Sequence, residues 1–112
     1  MTATDKGTHV LMVATGRITG VDDGDQLAAA FDGQLTMGRR NFVLDLAAVD
    51  YMNSTGLDLL LRMFTKVRNS GGELLLGSMN SKVSQLLVIT KLNSVLKVSA
   101  STAEAEARFT GI

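Results

Sequence analysis

The order of segments along this chain predicts an α/β fold: a mixed, largely parallel central sheet with helices packed on it. Three observations carry that expectation. Short apolar runs, FVLDL at 42–46 and ELLL at 73–76, alternate with longer segments of helical periodicity. Those two runs are almost uninterrupted, which suits strands covered on both faces, as parallel sheets require. The chain has no proline, and its segment boundaries fall at glycines and at Ser, Thr, Asn or Asp, the residues that stop and start helices. Strands alternating with helices in this way imply a sandwich with right-handed crossovers.

Each element follows in order. Thr8 to Met12 and Val13 to Ile18 read as strand material broken near Ala14 to Gly16, predicting a hairpin or two closely spaced strands there. Gly20 to Gly24 is a turn, and Asp25 is expected to cap a helix in which Leu27, Ala30, Phe31 and Leu35 recur at helical spacing. Gly38 stops that helix. After FVLDL, a second helix runs from about Ser54 to Asn69, with Leu57, Leu60, Leu61, Phe64 and Val67 as its apolar stripe. Asn69-Ser70-Gly71-Gly72 ends it, and ELLL follows as a strand. Asn80 or Ser81 caps a third helix, with Val83, Leu86, Leu87 and Thr90 on one face. Val95 to Val98 reads as a last strand with Lys97 marking a sheet edge. Ser101 or Thr102 then caps a terminal helix, AEAEARF.

Composition narrows the function. The 112 residues suit one domain, 1–112. A chain of that size buries roughly 65% of its unfolded surface without help from a metal. No cysteine is present, which removes disulfides, thiolate catalysis and zinc-finger spacings. Eleven basic and eleven acidic residues give a formal net charge of zero, without the basic balance expected of a nucleic-acid binder. The Arg39-Arg40 doublet reads as a solvated loop. No apolar run approaches the ~20 residues of a membrane span. MTATDKGTHV lacks the pattern of a signal peptide, so a cytoplasmic protein is expected. No set of paired ligands suggests a metal or a cofactor.

The informative stretch is VDYMNSTGLDLLL, Val49 to Leu61, where a strand gives way to a helix. Three readings of Asn53-Ser54-Thr55-Gly56 stand side by side. The first is capping, since Asn, Ser and Thr side chains accept bonds from free helix N–H groups, worth ~1 kcal/mol. The second is a catalytic serine, but the G-x-S-x-G pattern is missing and the single histidine, His9, would have to serve as its base. The third is a phosphorylation switch. A helix N-terminus favours an added anion, and a phosphate would bring about −1.5 to −2 charges and three acceptor oxygens to the surface. Asn53-Ser54-Thr55 also fits a glycosylation sequon, read as accidental without a secretory signal. Among the neighbours, Leu59 and Met63 fall off the inward stripe and, with Met52, belong either to packing or to a docking surface. Asp45 within FVLDL is expected to brace the loops at the carboxyl edge of the sheet.

FVLDLAAVDYMNSTGLDLLL followed by NSGGELLLGSMNSKVSQLLVITKLNSVLKV resembles the STAS domain of bacterial anti-sigma factor antagonists, from about Thr8 to Phe109. The likeness lies in the VLDL strand, the Asn-Ser-Thr-Gly-Leu junction, the Gly-Gly before a strand, and the helix ending near a Leu-x-x-Val-Leu strand. It implies a STAS-like sandwich and a partner-switching mechanism. The unphosphorylated antagonist binds an anti-sigma factor that is also a serine kinase of the ATP-binding, histidine-kinase-like type. Phosphorylation releases it, and a PP2C-type phosphatase reverses the modification. The resemblance places the phosphate on Ser54, with Thr55 as the second choice. It implies a partner surface comprising Thr19, Asp22, Asp23, Met52, Asn53, Ser54, Thr55, Leu57, Asp58 and Leu59. The antagonist would be a substrate and not an enzyme. Two positions depart from the family pattern: Asn53 stands where many relatives carry Asp, and so does Thr19, with Asp22 and Asp23 just beyond. The alternative is a STAS scaffold or transport-complex subunit without a phosphorylation cycle.

Overall fold

The computed structural model describes residues 2–18, 23–79, 81–91, 96–99 and 101–110, without the side chains of 23–26 and 110. Its elements are β1 (Thr2–Asp5), β2 (Val10–Ile18), α1 (Asp23–Thr36), β3 (Asn41–Met52), α2 (Ser54–Asn69), β4 (Glu73–Gly77), α3 (Ser81–Ile89), β5 (Lys97–Ser99) and α4 (Thr102–Thr110). The strands form one sheet in the order β1-β2-β3-β4-β5. The β1–β2 pair is antiparallel, and the other three pairs are parallel.

The apolar runs explain this layering. Phe42, Leu44, Leu74 and Leu76 point to one face and pack with Leu27 and Phe31 of α1, with Leu57, Leu60, Phe64 and Val67 of α2, and with Val83 and Leu87 of α3. Val43 and Leu75 point to the other face, against Ala105 and Phe109 of α4. A strand buried on both sides leaves no position for a polar residue, which is why these runs read as continuously apolar. Helix α4 is fixed at its start and at its middle. Ser78 Oγ accepts from Thr102 N at 2.8 Å, and Glu106 Oε2 lies 2.7 Å from His9 Nε2. Ser101 Oγ accepts from Glu104 N at 3.1 Å, the expected cap.

Several expectations are corrected. The hairpin lies at Lys6–His9, where Lys6 N donates to His9 O at 2.8 Å and Gly7 has φ +88°. Val10–Ile18 is one strand, and the irregularity at Ala14–Gly16 is a bulge, with register shifts against β3 between Val13 and Thr15 and between Gly16 and Arg17. Helix α1 starts at Asp23, so Asp25 sits within its first turn and is not its cap. Asp45 does not brace the edge loops; it is half-buried in mid-strand, and its Oδ1 accepts from Ala47 N at 2.9 Å beside the bulge. Of the two readings open for Leu59 and Met63, packing holds: both are buried, because α1 packs across α2 and covers the flank that one stripe would leave bare. Asn80 and Val95 lie outside the described residues.

One asymmetry positions the site. Strand β3 pairs with β4 only from Asn41 to Asp45, but with β2 as far as Met52. Beyond Asp45 the β2–β3 ribbon projects past the rest of the sheet and ends with Ile18 beside Met52.

Candidate functional site

The site is built at the tip of that ribbon. Asn53 is extended, with φ −107° and ψ −176°, and its N–H reaches Ile18 O at 3.4 Å. Its Oδ1 accepts from Gly56 N at 2.9 Å, and its carbonyl oxygen accepts from Leu57 N at 2.9 Å. Asn53 is therefore the N-cap of α2, which makes Ser54 and Thr55 its first two helical residues. Both are exposed. By helix geometry their N–H groups have no intrahelical carbonyl and face outward with the positive end of the dipole.

Gly56 makes this arrangement possible. It is buried in the first turn, and a Cβ there would lie 2.0 Å from Ile18 O. The first turn of α2 rests directly on the end of β2. Sequence reasoning noted this glycine as part of the junction but missed its role. The available signal was its position: glycine in a helix costs about 1 kcal/mol relative to alanine, so its presence points to close packing.

The residues expected to meet a partner separate into groups. Asn53, Ser54, Thr55 and Asp58 form one accessible patch, with Asn53 half-buried and the others exposed. Asp58 lies one turn beyond Ser54 and pairs with Arg62 at 3.3 Å, both side chains being largely in solvent. Met52 (7% exposed), Leu57 and Leu59 (7%) are core residues, so they shape the patch from beneath and are corrected as surface contacts. Asp23 opens α1, with its side chain not described, and Thr19 and Asp22 fall outside the described residues. A neighbouring residue that the sequence reading did not single out is Tyr51, exposed and covered by the Arg17 guanidinium at 5.0 Å from its ring centroid. A concavity of about 230 Å³ opens beside it, between Met52 and the Lys82, Gln85, Leu86 and Ile89 side of α3.

The catalytic reading of Ser54 fails on topology. His9 precedes β2 and Ser54 follows β3, so the parallel pair carries them to opposite ends, more than about 20 Å apart at the usual rise per residue. His9 is instead buried, bonded to Glu106 and to Thr8 Oγ1 and stacked on Phe109. Among the described residues, no group of His, Asp or Glu is placed to hold a metal ion, and no helix is long and apolar enough to cross a membrane.

Comparison with known proteins agrees with this architecture. A Bordetella bronchiseptica protein described as the anti-sigma factor antagonist BtrV is 30% identical over 105 residues, covering 94% of this chain and 90% of its own. The crystal structure of a Thermotoga maritima protein described as an anti-sigma factor antagonist superposes with a TM-score of 0.88 at 22% identity, over 97% of this chain and 93% of that one. The anti-sigma factor antagonist SpoIIAA in its unphosphorylated form gives a TM-score of 0.77 at 16% identity, over 99% and 98% of the two chains. The phosphorylated form of SpoIIAA, from Bacillus, gives 0.73 at 15% identity, over 96% of each. The family model of the STAS domain matches residues 5–105, and with that span of the chain accounted for, this protein belongs to the STAS domain family.

Proposed function

We propose that this chain is an anti-sigma factor antagonist working by partner switching. In its unphosphorylated form it binds an anti-sigma factor that is also an ATP-dependent serine kinase, and phosphorylation of Ser54 ends that binding. A PP2C-type phosphatase restores the free hydroxyl. The observation that carries the reading is the placement of Ser54: an exposed hydroxyl on the first residue of α2, on a turn whose backbone is fixed by Asn53 and Gly56. A phosphate there adds charge at the favourable end of the helix dipole, so the fold tolerates it while the surface changes sign and bulk. Asp58, one turn away, is already paired with Arg62 at 3.3 Å, so the phosphate would supply the main change of charge on this face. The names of the relatives and the two recorded states of SpoIIAA support this reading.

The test is a kinase assay with the cognate anti-sigma factor and ATP. One phosphate is expected, on Ser54 by mass spectrometry. Ser54→Ala should keep its affinity for the kinase and Ser54→Asp should lose it. Equal binding by the two variants would remove the switch. A STAS scaffold without a phosphorylation cycle is favoured by one residue, Asn53, which caps α2 without the charge many relatives place there. Stable binding to another partner, with no phosphate transfer, would select that reading.

A further inference from the structure

The opposite end of the sheet carries a feature that partner switching at Ser54 does not use. A concavity of about 330 Å³ opens there between Asn41, Arg68, Gly71, Gly72, Glu73 and Lys97. Its volume lies at the lower end of the range for small-molecule sites. Phe64 lines it too, and the Arg68 guanidinium stands over that ring at 5.5 Å from the centroid. Arg40 Nη1 lies 3.6 Å from the position a Gly71 Cβ would take, so a second guanidinium overhangs the glycines.

Charge is unevenly distributed here. Glu73 is the one carboxylate lining the concavity. Lys97 Nζ meets it at 2.6 Å and Arg108 Nη2 stands at 3.9 Å. Among the described residues no carboxylate pairs with Arg40 or Arg68. Lys97 and Arg108 thus stand at the one carboxylate, with Arg68 on the same lining and Arg40 beside Gly71 at its rim, in a protein whose net charge is zero. The backbone donors of the loop are already engaged: Gly71 N by Arg68 O at 3.1 Å, Gly72 N by Val67 O at 2.9 Å and Glu73 N by Arg40 O at 2.9 Å. Recognition would therefore fall to the side chains. One guanidinium fork on the lining, a second at the rim beside Gly71, and the Glu73-paired ammonium match an anion with several oxygens at more than one centre better than a single carboxylate.

We propose that the concavity at Arg40, Arg68 and Lys97 binds a small polyanion of the diphosphate class. This site is independent of Ser54, so it stands or falls apart from the switch. The probe is inorganic pyrophosphate, titrated into the ¹⁵N-labelled full chain and followed by amide chemical shifts, with sodium chloride at matched ionic strength as the control. Saturable shifts at Asn41, Gly71, Gly72 and Lys97 are expected, with inorganic phosphate binding at least about tenfold more weakly because it reaches fewer of the cations. Arg40→Ser and Arg68→Ser should each weaken pyrophosphate about tenfold. Lys66→Ser, which loses a cation paired with Asp32 away from this concavity, should leave binding unchanged, as should Ser54→Ala. Unfolding curves for each variant separate loss of binding from loss of fold. Non-saturating shifts, equal affinity for phosphate and pyrophosphate, or wild-type affinity in folded Arg40→Ser and Arg68→Ser would each overturn the proposal.

Discussion

The two ends of the sheet are held by the same device and serve different chemistry. At the carboxyl end, the first turn of α2 rests on β2, with Gly56 against Ile18 O. At the amino end, the loop after α2 rests on the start of β3, where a Cβ on Gly72 would lie 1.8 Å from Arg40 O. Helix α2 is thus clamped at both termini by a glycine against a backbone carbonyl. The surfaces differ. Asn53 to Asp58 is one contiguous stretch whose properties come from a helix terminus, whereas Arg40, Arg68, Lys97 and Arg108 come from four separate parts of the chain. A site made by backbone geometry is local and can be read from neighbouring residues; one made by converging side chains depends on topology.

Breaking the clamps gives the largest expected effects. Gly56→Ala and Gly72→Ala should each lose about 3 kcal/mol or more in denaturant unfolding, since each added methyl group meets backbone that cannot rotate away. The comparison predicts a split: among molecules still folded, Gly56→Ala impairs kinase binding and Gly72→Ala does not. Equal impairment by both would show that the ends do not act separately.

A smaller effect tests the amino end by its side chains. Glu106→Ala removes the partner of buried His9 (4% exposed) and should cost about 1–3 kcal/mol, mainly loosening α4. Amide exchange should speed up in α4 while the first turn of α2 keeps its protection. Smaller again is the cap. Asn53→Ala should lose about 1 kcal/mol in thermal unfolding. Asn53→Asp keeps the bond to Gly56 N and adds a charge at the helix start, so a gain of about 0.3–1 kcal/mol at low ionic strength is expected. Smallest is Arg62→Ala, which removes an exposed pair with Asp58 and should change stability by less than about 1 kcal/mol.

Much of this was legible from residue order. Helix α2 begins and ends where the apolar stripe and its flanking Asn53 and Ser70-Gly71-Gly72 place it. Strand β4 occupies ELLL plus one glycine. The first strand was missed because TATD is polar and exposed throughout, with neither a buried face nor alternation to mark it. It is a strand only because the free edge of β2 accepts it. The bulge in β2 was mistaken for a turn because Gly16, at φ +79°, carries the same signal in either setting.

Local chemistry along the chain was sufficient for the alternating α/β order, the helix cap at Asn53 and the exposed hydroxyl after it, because helix termini and doubly buried strands depend on near neighbours. The burial of Leu59 and Met63, the place of Asp45, the separation of His9 from Ser54 and the pairing of Lys97 and Arg108 with Glu73 required the packed molecule. These features depend on which strand lies beside which, and on α1 crossing α2. Residues far apart in the chain decide both, through a core whose contacts no single segment contains.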